Sequence, residues 1–364
     1  MSYLRTGRIT RVAVIITFLS LGIFAFSGCG GNEQKTEETQ EADQVSIRIP
    51  IVDSRSSPKF KAFERFADNL DDEMPGHFNV EIFPGGQLGG ESDYLSGIRT
   101  GSYEMTSVSA GVLSSFSPQV RVLDIPFAFS SFEEARSVID GKPGRMLLES
   151  IDDQNTLGLA FWEQGFRSVT TTNRILEDPG DLQGLKIRTM NAPMHVDAFR
   201  AIGANPTPME WPQVYTALKT GQLDAQENPP AAIWQENINE VQNHIFVTKH
   251  IYGVMPVVAR KNWYESLDSD EQQAVEKALD EATEYERSLT RKREQKGLRK
   301  LEELGMTVHR MEPAVLDSLR ETAQSAVLSE IRDRMSELGD EEKKVVRVWL
   351  DRFGERRVKT AGQR

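Results

Sequence analysis

Cysteine is nearly absent from this sequence of 364 residues, in which Cys29 is the only one. A single cysteine excludes an intrachain disulfide, and it also excludes a zinc site built on two or more thiolates. The five histidines show no spacing typical of metal ligands. The sequence therefore predicts no metal site.

Positive charge is also scarce, because 43 lysines and arginines face 55 acidic residues and leave a formal net charge of -12. Residues 1–28 contain three arginines and no acid. Removal of that segment would make the remaining chain more acidic still. Such a chain is poorly suited to nucleic-acid binding, and it can hold an anion only where arginines or helix N-termini are concentrated locally.

Motifs of catalysis are missing as well. There is no nucleophile elbow, no Walker loop and no dinucleotide fingerprint, and the glycines between residues 85 and 90 lack the order that such loops need. The acidic pairs Asp71-Asp72 and Asp152-Asp153 occur in polar, turn-like or helix-end segments, which favours a solvated position. The sequence does not support an enzyme.

The N-terminus has the pattern of a signal peptide over residues 1–28: arginines, then the apolar run from Val12 to Phe26, then small residues. The run is too short to favour a permanent membrane span. Cys29 follows directly and resembles the lipidated cysteine of a bacterial lipobox, although Phe26 stands where leucine is usual. The alternative is an incidental or buried cysteine. The pattern predicts an extracytoplasmic protein anchored through Cys29.

Strands and helices alternate along the body of the chain, which starts near Val45 after a polar, acidic tether at residues 29–44. The rhythm is typical of a parallel α/β sheet. The pattern predicts strands near residues 45–51, 78–82, 103–109, 157–162, 186–190, 223–226 and 253–259, and helices that begin at Ser57-Pro58, Glu91, Ser131, Pro193 and Pro212.

Two domains are expected from the length of the chain, with crossovers near Gln164 and Gly253. We assign residues 45–164 and 254–293 to domain I, residues 165–253 and 294–350 to domain II, and residues 351–364 to a solvated tail. A capping box formed by Ser269 and Gln272 opens a helical pattern that runs to Gly305. A helix of that length would brace both domains. A coiled coil is the alternative, but the apolar residues keep no sustained heptad.

Two arginines lie where a guanidinium needs a partner. Arg188 is embedded in the strand-like segment LKIRTM, and Arg167 follows the strand that ends in WEQGF. A planar guanidinium binds a carboxylate through two parallel hydrogen bonds. That carboxylate can belong to a ligand or to an internal Asp or Glu, and the residues alone leave both possibilities open.

Three consecutive segments resemble one known family. FWEQGFRSVTTTN, DLQGLKIRTMNAP and GANPTPMEWPQVYTALKTGQLDAQENP are similar to the solute-binding subunit of tripartite ATP-independent periplasmic (TRAP) transporters, as are the upstream segments FPGGQLGGESDYLSGIRTGSYEM and LDIPFAF. The resemblance is collinear from Val45 to about Leu350. It implies a type II periplasmic-binding-protein-like fold of class α/β, with two α/β domains joined by hinge segments and a long bracing helix.

The resemblance also implies roles for particular residues. Arg188 matches the arginine that makes a bidentate salt bridge to the ligand carboxylate, and Arg167 matches a frequent second contact. Asn228 matches the asparagine of a DGQENP-like motif, although Ala225 stands where glycine is usual.

Other contacts are expected from neighbouring segments. Trp211 matches an aromatic residue that covers the ligand, with a core or helix-start position as its alternative. Ser109 and Asn191 are expected to supply polar contacts. Glu91 would meet a hydroxyl or an amine, with helix capping as the alternative.

The function implied by the resemblance is capture of a small organic acid and its delivery to a TRAP membrane permease, with no cofactor. The polar set of Arg167, Asn191 and Asn228 favours a hydroxylated acid such as a uronate over a simple dicarboxylate. Two alternatives stay open: a receptor of the same fold that signals to a membrane partner, and a periplasmic enzyme acting on organic acids.

Overall fold

A computed structural model describes the backbone of residues 44–361, and the exposure of side chains as far as residue 353. The predicted signal peptide, Cys29 and all but the last residue of the predicted tether lie outside the described residues.

The strands, in chain order, are β1 (Val45–Pro50), β2 (Phe78–Phe83), β3 (Met105–Ser107), β4 (Asp152–Asp153), β5 (Thr156–Thr171), β6 (Lys186–Thr189), β7 (Asn205–Pro208), β8 (Ala225–Asn228), β9 (His244–Arg260) and β10 (Thr307–His309). The helices are α1 (Pro58–Glu73), α2 (Glu91–Thr100), α3 (Ala110–Leu113), α4 (Phe132–Ile139), α5 (Lys142–Glu149), α6 (Pro193–Ala201), α7 (Trp211–Lys219), α8 (Pro230–Gln235), α9 (Lys261–Ser266), α10 (Ser269–Glu303), α11 (Pro313–Asp333) and α12 (Asp340–Ala361).

Local signals in the sequence set the ends of the early helices. The Ser57 hydroxyl accepts a hydrogen bond from the Phe60 amide at 3.0 Å and caps α1, and proline occupies the first helical position. Helix α2 ends at Gly101, whose φ of 92° is in the left-handed region that favours glycine. These elements lie where the sequence predicts them.

The strands form a mixed sheet arrangement. β1 and β2 pair in parallel, and the larger sheet has the order β10-β9-β5-β8-β6-β7, with β3 added to β9 and β4 added to β5. Within it β6 is parallel to β7 and β8, whereas β5 is antiparallel to β8 and β9. The α/β class is confirmed. The expectation of a purely parallel sheet is wrong, because two long strands cross the molecule in opposite directions.

Those two strands, β5 and β9, are longer than the sequence predicts and pair along most of their length. The register shifts between Glu163 and Gly165, so that Gln164 bulges out of the ladder. Gly165 has a φ of 108° and lies opposite Gly253. The predicted crossover positions, Gln164 and Gly253, therefore meet at one irregular point of the sheet.

Separate hydrophobic cores lie on the two sides of that point. Ile47, Ile49, Phe63 and Trp162 belong to one core, in which β1 and α1 pack against the first half of α10. Smaller cores surround β6 and α7, and they include Ile187, Phe199, Val214 and Leu301. Each core is built from the apolar faces of the elements around it.

Helix α10 reaches both sides, which confirms the expected bracing helix. Its residues Ala278 and Ala282 pack in the first core, and Leu301, near its other end, packs beside α7. Gly297 lets the helix approach α8 closely, because a Cβ there would lie 2.8 Å from the Pro230 side chain. The predicted capping residue is wrong by one position: Asp268, not Ser269, accepts the amides of Asp270 and Glu271.

Helix α12 differs from the predicted domain division. Trp349 is fully buried, donates its indole N–H to the Pro143 carbonyl at 3.2 Å and lies edge-on to Phe129. These partners belong to the predicted domain I, whereas the sequence assigns residues up to 350 to domain II, because an amphipathic helix does not reveal which core it covers. The division into two domains stays a prediction. The helix also continues to Ala361, through much of the predicted tail.

Candidate functional site

A polar cavity with a free volume of about 480 Å³ brings together six of the seven predicted ligand-binding residues. The predicted residues in its wall are Glu91, Ser109, Arg188, Asn191, Trp211 and Asn228. The others are Val52, Asp53, Lys59, Val112, Gln164, Met190, Glu210, Ala232 and Glu236.

The ends of strands and helices place the predicted residues around this space. Glu91 and Trp211 are the first residues of α2 and α7, and Ser109 directly precedes α3. Arg188 is on β6 and Asn228 ends β8. Such positions leave the side chain free of the strand or helix interior, so that it can face a ligand.

Arg188 is 4% exposed. Its Nε and Nη2 donate to the Met209 carbonyl at 2.9 and 2.7 Å, and its guanidinium carbon lies 5.3 Å from the centre of the Trp211 ring. Among the residues that the structure describes, no carboxylate lies within 4 Å of its nitrogens. Burial lowers the pKa of Arg188 to about 10, so the group is still a cation at neutral pH.

Arg167, in contrast, is not in the cavity wall. Its Nε lies 2.5 Å from Glu227 Oε2 and its Nη2 lies 2.9 Å from Glu227 Oε1, while Nη1 donates to Gln164. Both Arg167 and Glu227 are almost completely buried. The internal carboxylate that the sequence left open as a partner is therefore present for Arg167, and a ligand contact by Arg167 stays a prediction.

Glu227 anchors a buried network that also contains two histidines. His250 Nε2 lies 3.2 Å from Glu227 Oε2, and His195 lies 3.6 Å from Glu227 Oε1 and 3.3 Å from Asp124. Burial opposes the ionisation of Glu227, but Arg167 and the histidines outweigh it and hold the pKa of Glu227 well below its usual range. The network fixes β8, and with it the adjacent Asn228.

Two carboxylates beside the His195 ring, those of Asp124 and Glu227, explain why this imidazole is charged. Burial favours the neutral form of His195, yet Asp124 and Glu227 together raise the pKa of His195 to about 9. For His250, burial dominates and lowers the pKa. His195 is thus held as a cation, whereas His250 is held in the neutral form.

Two residues for which the sequence left alternatives are placed by the structure. Asp93, not Glu91, accepts the Gly90 amide at 2.8 Å and so completes the cap of α2. The Glu91 carboxylate lines the cavity and is hydrogen-bonded to Ser109, and its burial raises its pKa. Trp211 begins α7 and also lines the cavity above Arg188.

Four charged residues of the wall were missed by the sequence reasoning: Asp53, Lys59, Glu210 and Glu236. Lys59 is 5% exposed, and its Nζ lies 2.6 Å from Asp53 Oδ2. A lysine in the first turn of a helix is normally solvated, so nothing in the local pattern distinguishes it. The position of Glu210 directly before α7 was the available signal, since residues before a helix often face a site.

Hydrogen bonds across the cavity join elements of the two predicted domains. Glu210 accepts from the Glu91 amide of the other predicted domain at 3.1 Å, and from Asn191 Nδ2 of its own predicted domain at 2.6 Å. Glu236 accepts from the amide and hydroxyl of Ser54 at 3.2 and 2.9 Å. The Glu210–Glu91 and Glu236–Ser54 contacts join the two walls of the cavity.

Two further cavities differ from this one. An adjoining cavity of about 430 Å³ shares Asp53, Lys59, Gln164 and Ala232 with it. A separate cavity of about 480 Å³, beside Phe127, Leu176 and Leu319, is lined almost entirely by apolar side chains. An organic acid placed there would lose its hydration without a charged partner.

None of the described helices is both long enough and apolar enough to cross a membrane. Within the same residues, no group of three or more His, Cys, Asp or Glu side chains is arranged to hold a metal ion.

Comparison with known proteins identifies relatives over most of the chain. A family model described as bacterial extracellular solute-binding protein, family 7 (DctP), matches residues 51–333. The 2,3-diketo-L-gulonate-binding periplasmic protein YiaO of Escherichia coli K12 is 34% identical over 288 residues, which are 79% of this chain and 86% of YiaO. The C4-dicarboxylate-binding periplasmic protein DctP of Rhodobacter capsulatus is 31% identical over 300 residues, 81% of this chain and 88% of DctP.

Among solved structures, the sugar acid binding protein DctPAm of Advenella mimigardefordensis, in complex with galactonate, is similar in fold. It is 28% identical, has a TM-score of 0.78, and the match covers 85% of this chain and 98% of DctPAm.

Proposed function

Because the chain belongs to family 7 of the bacterial extracellular solute-binding proteins, the DctP family of TRAP solute receptors, we propose that its polar cavity captures a sugar acid. Arg188 binds the carboxylate of that acid through its guanidinium fork. Relatives of this chain bind small organic acids, and the family consists of substrate-binding receptors that act in the periplasm.

The unpaired charge of Arg188 carries the proposal. A buried guanidinium without an acid costs several kcal/mol in desolvation, on the order of the penalty for an uncompensated buried ion. No described carboxylate forms an ion pair with it, and the more distant charges of Glu227, Glu91 and Glu210 do not outweigh its burial. A ligand carboxylate supplies the missing charge, and the Trp211 ring fixes the guanidinium for that contact.

Hydroxyl groups of the ligand account for the remaining wall. Ser109, Asn191 and Asn228 offer donors and acceptors in the same cavity, and Glu91 offers an acceptor. A simple dicarboxylate has no group that uses such acceptors. The names of YiaO and DctPAm, which refer to sugar acids, support the same preference.

Capture is completed by closure of the two domains, whose boundaries we place at the predicted crossovers. The bulge at Gln164 and the positive φ of Gly165 interrupt the β5–β9 ladder and mark the hinge. A bound acid favours the closed form because Arg188 and the bonds of Glu210 and Glu236 are then satisfied together.

The closed receptor then docks on a TRAP membrane permease and releases the acid there. It acts as a carrier and not as an enzyme, so the ligand leaves unchanged. We further propose export by the signal peptide of residues 1–28 and a lipid anchor on Cys29, which keeps the receptor near its permease.

The decisive experiment is titration calorimetry of the purified receptor with galactonate, glucuronate and the neutral polyol galactitol. The two acids should bind and raise the melting temperature, whereas galactitol, which has the hydroxyls but no carboxylate, should not. Binding of galactitol as tightly as galactonate would refute the role of the carboxylate. Turnover of the acids during incubation would refute the carrier role.

A further inference from the structure

The cavity that holds Arg188 is rich in carboxylates. Asp53, Glu91, Glu210 and Glu236 all line it, against Lys59 and Arg188 as the only cations in that wall of described residues. An acidic wall is an unexpected environment for an anionic ligand, because like charges repel strongly when they are partly desolvated.

Some charged side chains of this wall are bound by other protein groups, and others have few protein partners. Glu210 is engaged by Asn191 and by the Glu91 amide. Lys59 lies 2.6 Å from Asp53 and 3.9 Å from Glu91, so its single charge is already shared between two carboxylates. Glu236 accepts only from Ser54 in the described contacts, and no cation lies within 4 Å of it. Because its charge is already shared between Asp53 and Glu91, Lys59 is not free to bind a second acid.

We propose that Asp53, Glu91 and Glu236 form a selective end of the cavity that accepts the hydroxyl groups of a monocarboxylate and rejects a second carboxylate. This inference rests on the proposed function. It goes beyond it by naming residues that discriminate between aldonic acids and dicarboxylates of the same length.

Hydrogen-bond chemistry gives the reason for the preference. A carboxylate only accepts, whereas a hydroxyl donates and accepts, so hydroxyls satisfy the lone pairs of Asp53, Glu91 and Glu236. A second carboxylate has no proton to donate and adds a charge of the same sign. Burial raises the pKa of Glu91 and of Glu236, and the nearby Asp53 carboxylate adds to both shifts, while Lys59 opposes them.

Arg293 is the competing destination for a second carboxylate. It lines the adjoining cavity, donates to the Ser56 carbonyl and has no carboxylate within 4 Å among the described residues. The Asp53–Lys59 pair lines both spaces, so a diacid that reached Arg293 would lie next to this pair.

Galactonate and galactarate make a matched test, because they share one carbon chain and differ only in a terminal hydroxymethyl or carboxylate group. Calorimetry at pH 7.5 should give galactarate a dissociation constant at least about tenfold larger than that of galactonate, a difference of about 1.4 kcal/mol in binding free energy. Equal or tighter binding of galactarate would overturn this inference and leave the proposed function standing. Binding of neither acid, in a panel where no other sugar acid binds, would overturn the proposed function itself.

Three variants assign the discrimination to residues. The quantity compared is the ratio of the dissociation constants of galactarate and galactonate. Asp53→Asn frees the Lys59 ammonium and should improve galactarate binding relative to galactonate by about tenfold. Glu236→Gln should lower the same ratio by removing one repelling charge. Glu302→Gln, an equal change of charge on the exposed side of α10, should leave the ratio unchanged. An unchanged ratio in both cavity variants, with melting temperatures near that of the parent, would refute the assignment.

Two additional outcomes would also refute it. Galactarate binding that is lost in Arg293→Ala would assign the second carboxylate to the adjoining cavity. Tighter binding of 6-aminohexanoate than of galactonate would show that the acidic end selects an ammonium and not hydroxyls.

Discussion

The Glu227 carboxylate binds one edge of the Arg167 guanidinium through two contacts, with 2.5 Å between Nε and Oε2 and 2.9 Å between Nη2 and Oε1. Arg188, by contrast, donates hydrogen bonds to the Met209 carbonyl and lies against the Trp211 ring, and it forms no ion pair with a described carboxylate. The two arginines that the sequence treats as a pair therefore differ physically. Arg167 is part of the internal structure, whereas the more distant carboxylates of Glu227, Glu91 and Glu210 only partly offset the burial of the Arg188 charge.

Arg167→Ala should reduce the free energy of unfolding by about 3–5 kcal/mol, because it leaves the Glu227 carboxylate buried without its main cation. Chemical denaturation of the ligand-free protein measures this change. The double variant Arg167→Ala/Glu227→Gln should recover part of the loss, since no uncompensated anion remains. A double variant no more stable than the single one would show that lost packing, and not the stranded charge, is responsible.

Arg188→Ala should act on binding. We expect the affinity for galactonate to fall by about 2–5 kcal/mol, the range for breaking a buried charge pair, while the ligand-free protein loses no stability, because the substitution also removes a buried charge that has no acid partner. Arg188→Lys should also bind poorly, because an ammonium lacks the planar fork. Arg200→Ala, which removes an exposed arginine paired with Asp197, is the control. Parental affinity in Arg188→Ala would contradict the clamp.

Much of this architecture is predictable because it depends on local patterns. Ser57 before α1 and Gly101 after α2 mark helix ends through capping and left-handed backbone, which act within a few residues. Arg188, Asn191 and Asn228 are assigned to one site through the resemblance of their segments to a known family, and all three line one cavity.

The remaining features depend on contacts between distant segments. Lys59 and Asp53 look like solvated charges until α1 is placed beside the cavity. The Glu227 partner of Arg167 is 60 residues away along the chain. The side of the molecule that α12 covers is decided by Trp349 and Pro143, which no periodicity connects.

Stability should depend on pH through His195. Its folded pKa of about 9 lies above the unfolded value near 6.5, so its contribution is fully present below pH 6.5 and is lost as the pH rises to 9. The shift corresponds to at most about 3 kcal/mol. The difference in unfolding free energy between the parent and His195→Gln should shrink over this range.

That difference isolates His195 from another group with the same trend. Burial raises the pKa of Glu286 to about 8, and a carboxyl with a raised folded pKa also loses stability as the pH rises, here from about 4.5 to 8. Glu286 is present in both proteins, so its contribution cancels. A difference that stays constant from pH 6 to 9.5 would contradict a charged His195.

Gly90→Ala tests closure of the cavity. A Cβ at Gly90, directly before α2, would lie 2.0 Å from Oε2 of Glu210, directly before α7. The φ of -99° at Gly90 nevertheless suits any residue. The methyl group should therefore leave the unfolding free energy within about 0.5 kcal/mol of the parent, while galactonate binds about tenfold or more weakly, a change of about 1.4 kcal/mol. Small-angle scattering with saturating galactonate should give a larger radius of gyration than for the parent.

A double-mutant cycle separates this clash from other effects of the methyl group. In a Glu210→Ala background the side chain that the methyl group meets is gone, so Gly90→Ala should weaken binding much less than it does in the parent. Gly339→Ala is the control, because a Cβ there would meet nothing closer than the end of Glu342 at 3.4 Å. If Gly90→Ala is equally harmful with and without Glu210, the contact between Glu210 and the start of α2 does not govern closure, and the hinge at Gly165 must close on other contacts.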